Sequence, residues 1–296
     1  MKVLITGASG FIGSRLLAAA CATYGSENVT AFSSLANAEC YTIVYNGDEL
    51  RIDSAGLVRI RAVEVVIHAG AYTPKSSADA NVSLGCTANI SFTQRLLELP
   101  FSSLKQIIYL SSLDVYAPAE PITEETLTLP PTLYGLSKLY CERMVALCAA
   151  ERNITHQILR LGHVYGPGEE KYGKFLPKAI ADILGHDSVE LWGDGAELRS
   201  LIYIDDVVES VLASIGLPAG VGVINVVGSC AISIRQLLDQ LIAVSAKRVE
   251  LVAMEFDGPR RNYVFDNTKL KSYLLTHETD LSSGLRAEYD HMAKLQ

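Results

Sequence analysis

The sequence predicts an α/β fold: a doubly wound parallel sheet with helices on both faces and a smaller C-terminal region. Three observations carry this. Short β-rich apolar runs alternate with helically spaced segments, a glycine-rich turn directly follows the first run, and the texture changes after Gly166-Pro167-Gly168. Val3–Thr6, Val29–Ser33, Val63–His68 and Gln106–Leu110 read as strands, each followed by helical spacing or turn residues. Tyr134–Arg152 reads as a long helix, because Leu136, Leu139, Tyr140, Arg143, Met144 and Leu147 recur near the helical period; His156–Arg160 then extends the same sheet. Beyond Gly168 the pattern gives helix Lys174–Leu184, strand Val189–Trp192, the turn Gly193-Asp194-Gly195 and strand Ser200–Ile204. Helix Asp205–Ile215, strand Val223–Val227 and helix Ile234–Ala246 follow, with Asp205 and Asp206 where an N-cap and a first-turn acid are favoured.

Composition excludes several classes. The chain has 296 residues, 49% of them hydrophobic and 20% charged, and a mean hydropathy of +0.22, which excludes disorder as the main state. Its 25 Lys and Arg against 33 Asp and Glu give a net charge of −8, and no dense basic run offers a phosphate-backbone footprint, so no nucleic-acid partner is expected. No stretch approaches the roughly 18 apolar residues that span a bilayer. Thr6-Gly7-Ala8-Ser9-Gly10 ends the opening apolar run before a signal sequence could form, so the chain reads as cytoplasmic with no membrane partner. Six cysteines form no C-x-x-C pair and stand near no His at ligand spacing, which points to reduced, buried thiols and no metal.

Val3-Leu4-Ile5-Thr6 runs into Gly7, Gly10 and Gly13 at G-x-x-G-x-x-G spacing, and a Leu/Ala-rich helix follows through Cys21. Glycine permits the tight turn and lets the backbone approach a pyrophosphate, which the free N–H groups of a helix N-terminus attract. Gly7, Ser9, Gly10, Phe11, Ile12 and Gly13 are therefore the expected dinucleotide cradle. An acid ending the second strand would select NAD, but Ser33-Ser34 stand there. The cofactor is thus NAD or NADP, leaning to NADP, with Arg15 as the nominated cation for a 2′-phosphate. Asp48 is placed against the adenine, or is a plain turn carboxylate.

Tyr134 and Lys138 lie four residues apart, which on a helix puts a phenol and an ammonium on one face. A phenol with an ordinary pKa near 10 needs a neighbouring positive charge to move protons near neutrality. Tyr109-Leu110-Ser111-Ser112 ends a strand with hydroxyls at the carboxyl edge of the sheet, where ligands bind. Ser112 can orient a carbonyl or alcohol toward Tyr134, and strand-end capping is the alternative role for Ser111 and Ser112.

These residues resemble the extended short-chain dehydrogenase/reductase family, specifically its NAD(P)-dependent nucleotide-sugar epimerase/dehydratase branch. Thr6–Gly13 resembles the T-G-x-x-G-F-I-G opening, Val66–Ala71 the V-I-H-x-A-A segment, and Asn89–Leu97 the N-V-x-G-T-x-N-L-L helix, with Phe92 and Arg95 as departures. Ser111–Tyr116 is similar to S-S-x-x-V-Y, Tyr134 and Lys138 to Y-x-x-x-K, and Leu159–Gly168 to L-R-x-x-N-V-Y-G-P-G with His163 in place of Asn. Gly193–Asp206 resembles G-D-G-x-x-x-R-D-F-V-Y-V-D-D with Ser200 for Asp, and Leu281–Leu285 the closing L-x-x-G-L helix start. The resemblance implies a Rossmann-type fold, with residues 1–165 binding the dinucleotide and 166–296 mainly the substrate, 201–227 returning to the first domain. It implies Ser112, Tyr134 and Lys138 as the catalytic triad, and Ala69, Gly70, Ala71 and Asn89 beside the cofactor with Tyr134 and Lys138. Tyr72, Ser111, Ser112, Asp114, His163, Arg199 and Arg260 are the implied substrate residues, the two arginines facing phosphate.

The chemistry implied is hydride transfer between a nicotinamide and a sugar carbon. Epimerisation of a nucleotide-activated sugar stands first and reduction of a 4-keto sugar or other carbonyl second. Dehydration ranks lower, since Leu113-Asp114 supplies one carboxylate where sugar dehydratases carry an Asp-Glu pair. A catalytically silent NAD(P)-binding regulator is the alternative of a different class. The family also implies a homodimer packed through Ala88–Leu97 and Gly135–Ala150.

Overall fold

Continuous apolar runs bounded by turns give strands buried on both faces, as a parallel sheet between two helical layers requires. The computed structural model describes the chain except Gly47, Asp48, Arg51, Ser77, Asp257 and Pro259, with the backbone alone of Asn46, Glu49 and Leu50. The first half comprises β1 (Val3–Thr6), α1 (Phe11–Tyr24), β2 (Val29–Ser33), β3 (Tyr41–Asn46), β4 (Glu49–Leu50), α2 (Ser54–Ala62) and β5 (Val65–His68). It continues through α3 (Ser83–Leu97), β6 (Gln106–Ser112), α4 (Leu133–Glu151) and β7 (Thr155–Leu161). The second half holds β8 (His163–Tyr165), α5 (Phe175–Gly185), β9 (Ser188–Trp192), β10 (Leu198–Tyr203), α6 (Ile204–Ala213) and β11 (Ile224–Val226). Then come β12 (Ala231–Ser233), α7 (Ile234–Ser245), β13 (Glu250–Met254), α8 (Thr268–Tyr273) and α9 (Leu281–Ala293).

Among the described residues the main sheet runs β11-β7-β6-β5-β1-β2-β3-β4, parallel except for β4, which turns back on β3. This is the doubly wound order, reversing beside β1, and it sets the ends of β1, β5 and β6 side by side. Along β1 the side chains alternate: Val3 and Ile5 pack with Leu16 and Leu17 of α1, while Leu4 packs with Phe32, Tyr109 and Val145 on the opposite face. β8, β10 and β12 form a smaller sheet, and β9 with β13 another. β11 pairs with β7, so the chain re-enters the main sheet after β10.

Polar side chains fix the helix starts. Thr132 accepts from the Gly135 N–H at 3.1 Å to open α4, and Ser233 and Gln236 form a reciprocal capping box on α7. The expected strand Val63–His68 begins at Val65, because the Val63 N–H closes α2 on the Ile60 carbonyl and the Glu64 N–H turns to Lys2. Ile204 opens α6 rather than ending a strand, and its cap is Tyr203 without a side-chain bond. Neither acid is the N-cap, then. Asp205 pairs with Arg15 at 2.9 Å, and the Asp206 carboxylate accepts from the Thr279 N–H and hydroxyl at 2.9 and 2.7 Å.

One buried ion pair joins the layers under the site. Arg160 on β7 donates from Nε and Nη2 to Glu142 on α4 at 2.9 and 2.7 Å, both side chains only 6% exposed. The Arg160 guanidinium lies 4.7 Å over the Tyr116 ring, and Ser111 donates to the same carboxylate at 2.5 Å. Removing one partner leaves a charge in a dry interior. Arg160→Met is expected to cost about 3–5 kcal/mol in urea unfolding, and Arg160→Met with Glu142→Leu to recover much of it; a single variant as stable as wild type would contradict this.

Candidate active site

β1, β5 and β6 end at one edge, and a cleft of about 1250 Å³ opens above them. Every cofactor and substrate residue expected from the sequence lines it except Arg15, Arg260 and Asp48. Arg15 turns away, donating to Asp205 and to the Pro167 carbonyl at 2.9 Å each. Arg260 pairs with Asp194 at 2.7 Å and is more than half exposed. Asp48 lies outside the described residues.

The glycine-rich turn fits a pyrophosphate. Gly7 has φ +69°, its N–H donates to the Phe32 carbonyl at 3.0 Å, and a Cβ there would come within 2.6 Å of the Gly70 backbone. A Cβ on Gly13 would collide with the Gly7 carbonyl oxygen. These two positions accept only glycine, and the turn leaves the first N–H groups of α1 without helical partners. Behind the turn, Thr6 Oγ1 accepts from the Gly70 N–H at 2.9 Å and meets His68 Nδ1 at 2.8 Å, while His68 Nε2 meets Thr93 Oγ1 at 2.9 Å. Thr93 spends its proton on the Asn89 carbonyl at 2.8 Å. His68 therefore donates from Nε2 and accepts at Nδ1, and burial, then the Lys138 charge, hold its pKa down at about 3, so it is a neutral structural imidazole.

Asn89 organises the loop rather than presenting a free amide. Its Oδ1 accepts from the Tyr72 N–H at 2.6 Å and its Nδ2 donates to Ser137 Oγ at 3.2 Å, tying the chain after β5 to α4. The Tyr72 hydroxyl donates to the Asp79 carbonyl at 3.0 Å. Ser111 is likewise committed, to Glu142.

Ser112, Tyr134 and Lys138 come together from β6 and α4. Ser112 Oγ donates to Asp114 Oδ2 at 3.0 Å, and the hydroxyls of Ser112 and Thr73 hydrogen-bond Tyr134. Burial and the Asp114 charge push the Tyr134 phenol well above its ordinary value, against those two hydrogen bonds. Lys138 Nζ donates to the Leu110 carbonyl at 2.6 Å and sits 4.4 Å over the Tyr109 ring. Burial lowers its pKa to about 8. Asp114 is raised by burial, with Ser112 and the Arg261 charge opposing.

Beside the cleft lies a cluster of which Arg199 and His163 were expected from the sequence. Arg199 donates to the Arg261 carbonyl at 2.7 Å, and both guanidinium groups lie over the Tyr263 ring, at 5.1 and 4.5 Å. His163 meets that ring edge-on, its buried Nδ1 has no hydrogen-bond partner, and burial with nearby Arg199, Lys174 and Arg261 brings its pKa to about 3. Sequence reasoning nominated Arg260, but the pair divides: Arg261 turns inward with Tyr263 and Phe265, Arg260 outward. Period-two alternation from Phe265 was the signal. Thr73, Trp192 and Phe256 also line the cleft, from loop or edge positions that no motif marked.

The model of the NAD dependent epimerase/dehydratase family matches residues 3–227. Over 100% of its length the chain is 27% identical to an uncharacterized UDP-glucose epimerase of Bacillus subtilis (strain 168), covering 99% of that protein. It is 27% identical to the UDP-glucose 4-epimerase of Mycolicibacterium smegmatis, over 93% of this chain and 92% of that one. The UDP-glucuronic acid 4-epimerase from Bacillus cereus in complex with NAD has a TM-score of 0.84 to this structure at 26% identity, across 100% of this chain and 97% of that one.

Burial of Lys138 gives a pH signature. Its folded pKa, about 8, lies below the ordinary 10.5, so between those values the unfolded chain binds more protons and this group makes stability rise with pH. Lys138→Met is expected to abolish a rise of about 3 kcal/mol across that window, read by denaturant unfolding; a wild-type slope in the variant would refute the shift.

Proposed function

The chain belongs to the NAD dependent epimerase/dehydratase family, and from that premise we propose that it epimerises a nucleotide-activated sugar by transient hydride transfer. One observation carries the reading: the Tyr134 hydroxyl is buried against Ser112 at the end of β6, in the same cleft as the glycine-rich turn. The relatives' substrates make a UDP-sugar the first choice.

Gly7 to Gly13 would hold the pyrophosphate, and Lys138 the nicotinamide ribose. NAD supplies a hydride acceptor and donor when bound. Ser112 Oγ, released from Asp114, would donate to the reacting sugar oxygen and set it against Tyr134. Tyr134, kept a neutral phenol by burial, would give its proton to a carbonyl oxygen. In the opposite direction it would take the hydroxyl proton, with Thr73 and the Lys138 charge favouring the phenolate. Arg199, which lines the cleft, would face the sugar diphosphate, with Arg261 behind it against Tyr263, while Trp192 and Phe256, both half-exposed, would offer faces to a nucleobase.

For the dinucleotide we take NAD. Arg15, nominated for a 2′-phosphate, is committed to Asp205 and Pro167. For assembly we take a homodimer through α3 and α4, the latter exposing Leu147 (66%), Tyr140 (57%) and Leu136 (50%).

Identifying the nucleotide released on denaturation separates the readings: stoichiometric NAD supports an epimerase that recycles its hydride, and exchangeable NADPH supports a one-way ketoreductase. Tyr134→Phe is expected to lower turnover at least about 10²-fold while leaving nucleotide content unchanged, followed by chromatography of a UDP-sugar panel. Unchanged turnover would remove the mechanism, and a wild type inert toward every activated sugar would favour the silent regulator.

A further inference from the structure

The segment after β8 carries a contact that the reaction above does not use. Gly10 caps α1 without a side-chain bond, which leaves the Phe11 N–H an unsatisfied donor. That N–H donates to the Tyr172 hydroxyl at 2.9 Å, across 161 positions of sequence, and the Phe11 and Tyr172 rings pack with centroids 6.1 Å apart. A second fastening joins the same segment to the same helix: Arg15 donates to the Pro167 carbonyl. Gly168 and Gly173, both left-handed, begin and end the Glu169–Tyr172 turn, and a Cβ on Gly173 would meet nothing within 4 Å. The turn is thus a short strap, hinged at both ends and laid over the start of α1. On its inner side Lys174 pairs with Glu169 Oε1 at 2.8 Å, while Glu169 Oε2, buried on the cleft wall, has no hydrogen-bond partner.

We infer that Tyr172 is a diphosphate-binding residue: its hydroxyl stands at the Phe11 N–H where a phosphate oxygen belongs, and donates to that oxygen when a dinucleotide binds. This rests on the dinucleotide reading and adds to it a residue that lies far from the glycine motif. A helix N-terminal N–H gains more from an anionic oxygen than from a phenol, so the diphosphate displaces Tyr172 as acceptor. The phenol keeps one O–H to give, and it lies next to whatever oxygen accepts from the Phe11 N–H. The strap then retains the cofactor, as an enzyme that reuses its own hydride requires.

Tyr172→Phe keeps the ring packing and removes the O–H. Calorimetric titration with NAD⁺ and with ADP, and stopped-flow release of NAD⁺, are expected to show about ten-fold weaker binding and faster release. The melting temperature without nucleotide should fall only slightly, because water at the open cleft replaces the phenol at the Phe11 N–H. Equal or tighter binding of both nucleotides would overturn the role of Tyr172 and leave the dinucleotide reading standing. Weaker binding with a loss of the cooperative nucleotide-free unfolding transition would make the residue structural and also overturn it. A wild-type protein that binds neither NAD⁺ nor ADP would remove the reading on which the inference rests.

Discussion

The site depends on how closely the ends of β1 and β5 approach. Gly7 and Gly70 leave no room for one methyl group between their backbones, and Thr6 stitches the junction by accepting from Gly70 and meeting His68. That approach lets the chain turn sharply out of β1, so α1 starts directly above the sheet edge with its N–H groups aimed into the cleft. On the other side, Thr93 carries the same hydrogen-bond chain into α3, whose Asn89 holds the loop that contributes Tyr72 and Thr73. The glycine-rich turn and the loop that carries Tyr72 and Thr73 are therefore two ends of one buried network, and a defect at Gly7, Thr6 or His68 would be felt at both.

The main sheet was legible because its strands are buried on both faces and its turns carry glycines with a steric reason to be there. The cradle and the Ser112, Tyr134 and Lys138 cluster were legible because each follows from a local spacing: a strand running into a turn, or one helical turn between two side chains. What was not legible is long-range. Whether Arg15 faces the dinucleotide or Asp205 depends on α6 packing beside α1, which nothing near residue 15 encodes. Arg260 and Arg261 differ by one step of an extended segment, and the bridge from Arg199 to Tyr263 fixes which turns inward. Tyr172 lies 161 positions from its partner, in a turn without a motif. β12, β13 and α8 are short elements defined by their neighbours, and local pattern did not separate them from loop.

Burial sets the charge state of the reaction centre. A phenol, an ammonium and a carboxylate meet within a few residues of one another, and burial favours the neutral form of each: Tyr134 and Asp114 rise, Lys138 falls. His68 and His163 are neutral for the same reason. The cationic character of the substrate side rests instead on arginines, which stay charged under burial. The cleft thus separates into a region where burial favours neutral groups and a region that keeps permanent positive charge.

That division bears on direction. On the proposed mechanism a neutral Tyr134 next to a hydroxyl polarised by Asp114 would protonate a carbonyl oxygen, the reductive half of the cycle. The oxidative half needs the phenolate, and burial alone opposes it. On the proposed mechanism positive charge must approach Tyr134 for that half to proceed, and Lys138 would supply it: its pKa of about 8 leaves it mostly protonated at neutrality, with Nζ donating to the Leu110 carbonyl. A ligand that draws Lys138 from Leu110 would move the charge relative to the phenol and shift the proton balance. On that mechanism binding and proton transfer would be coupled through one buried ammonium.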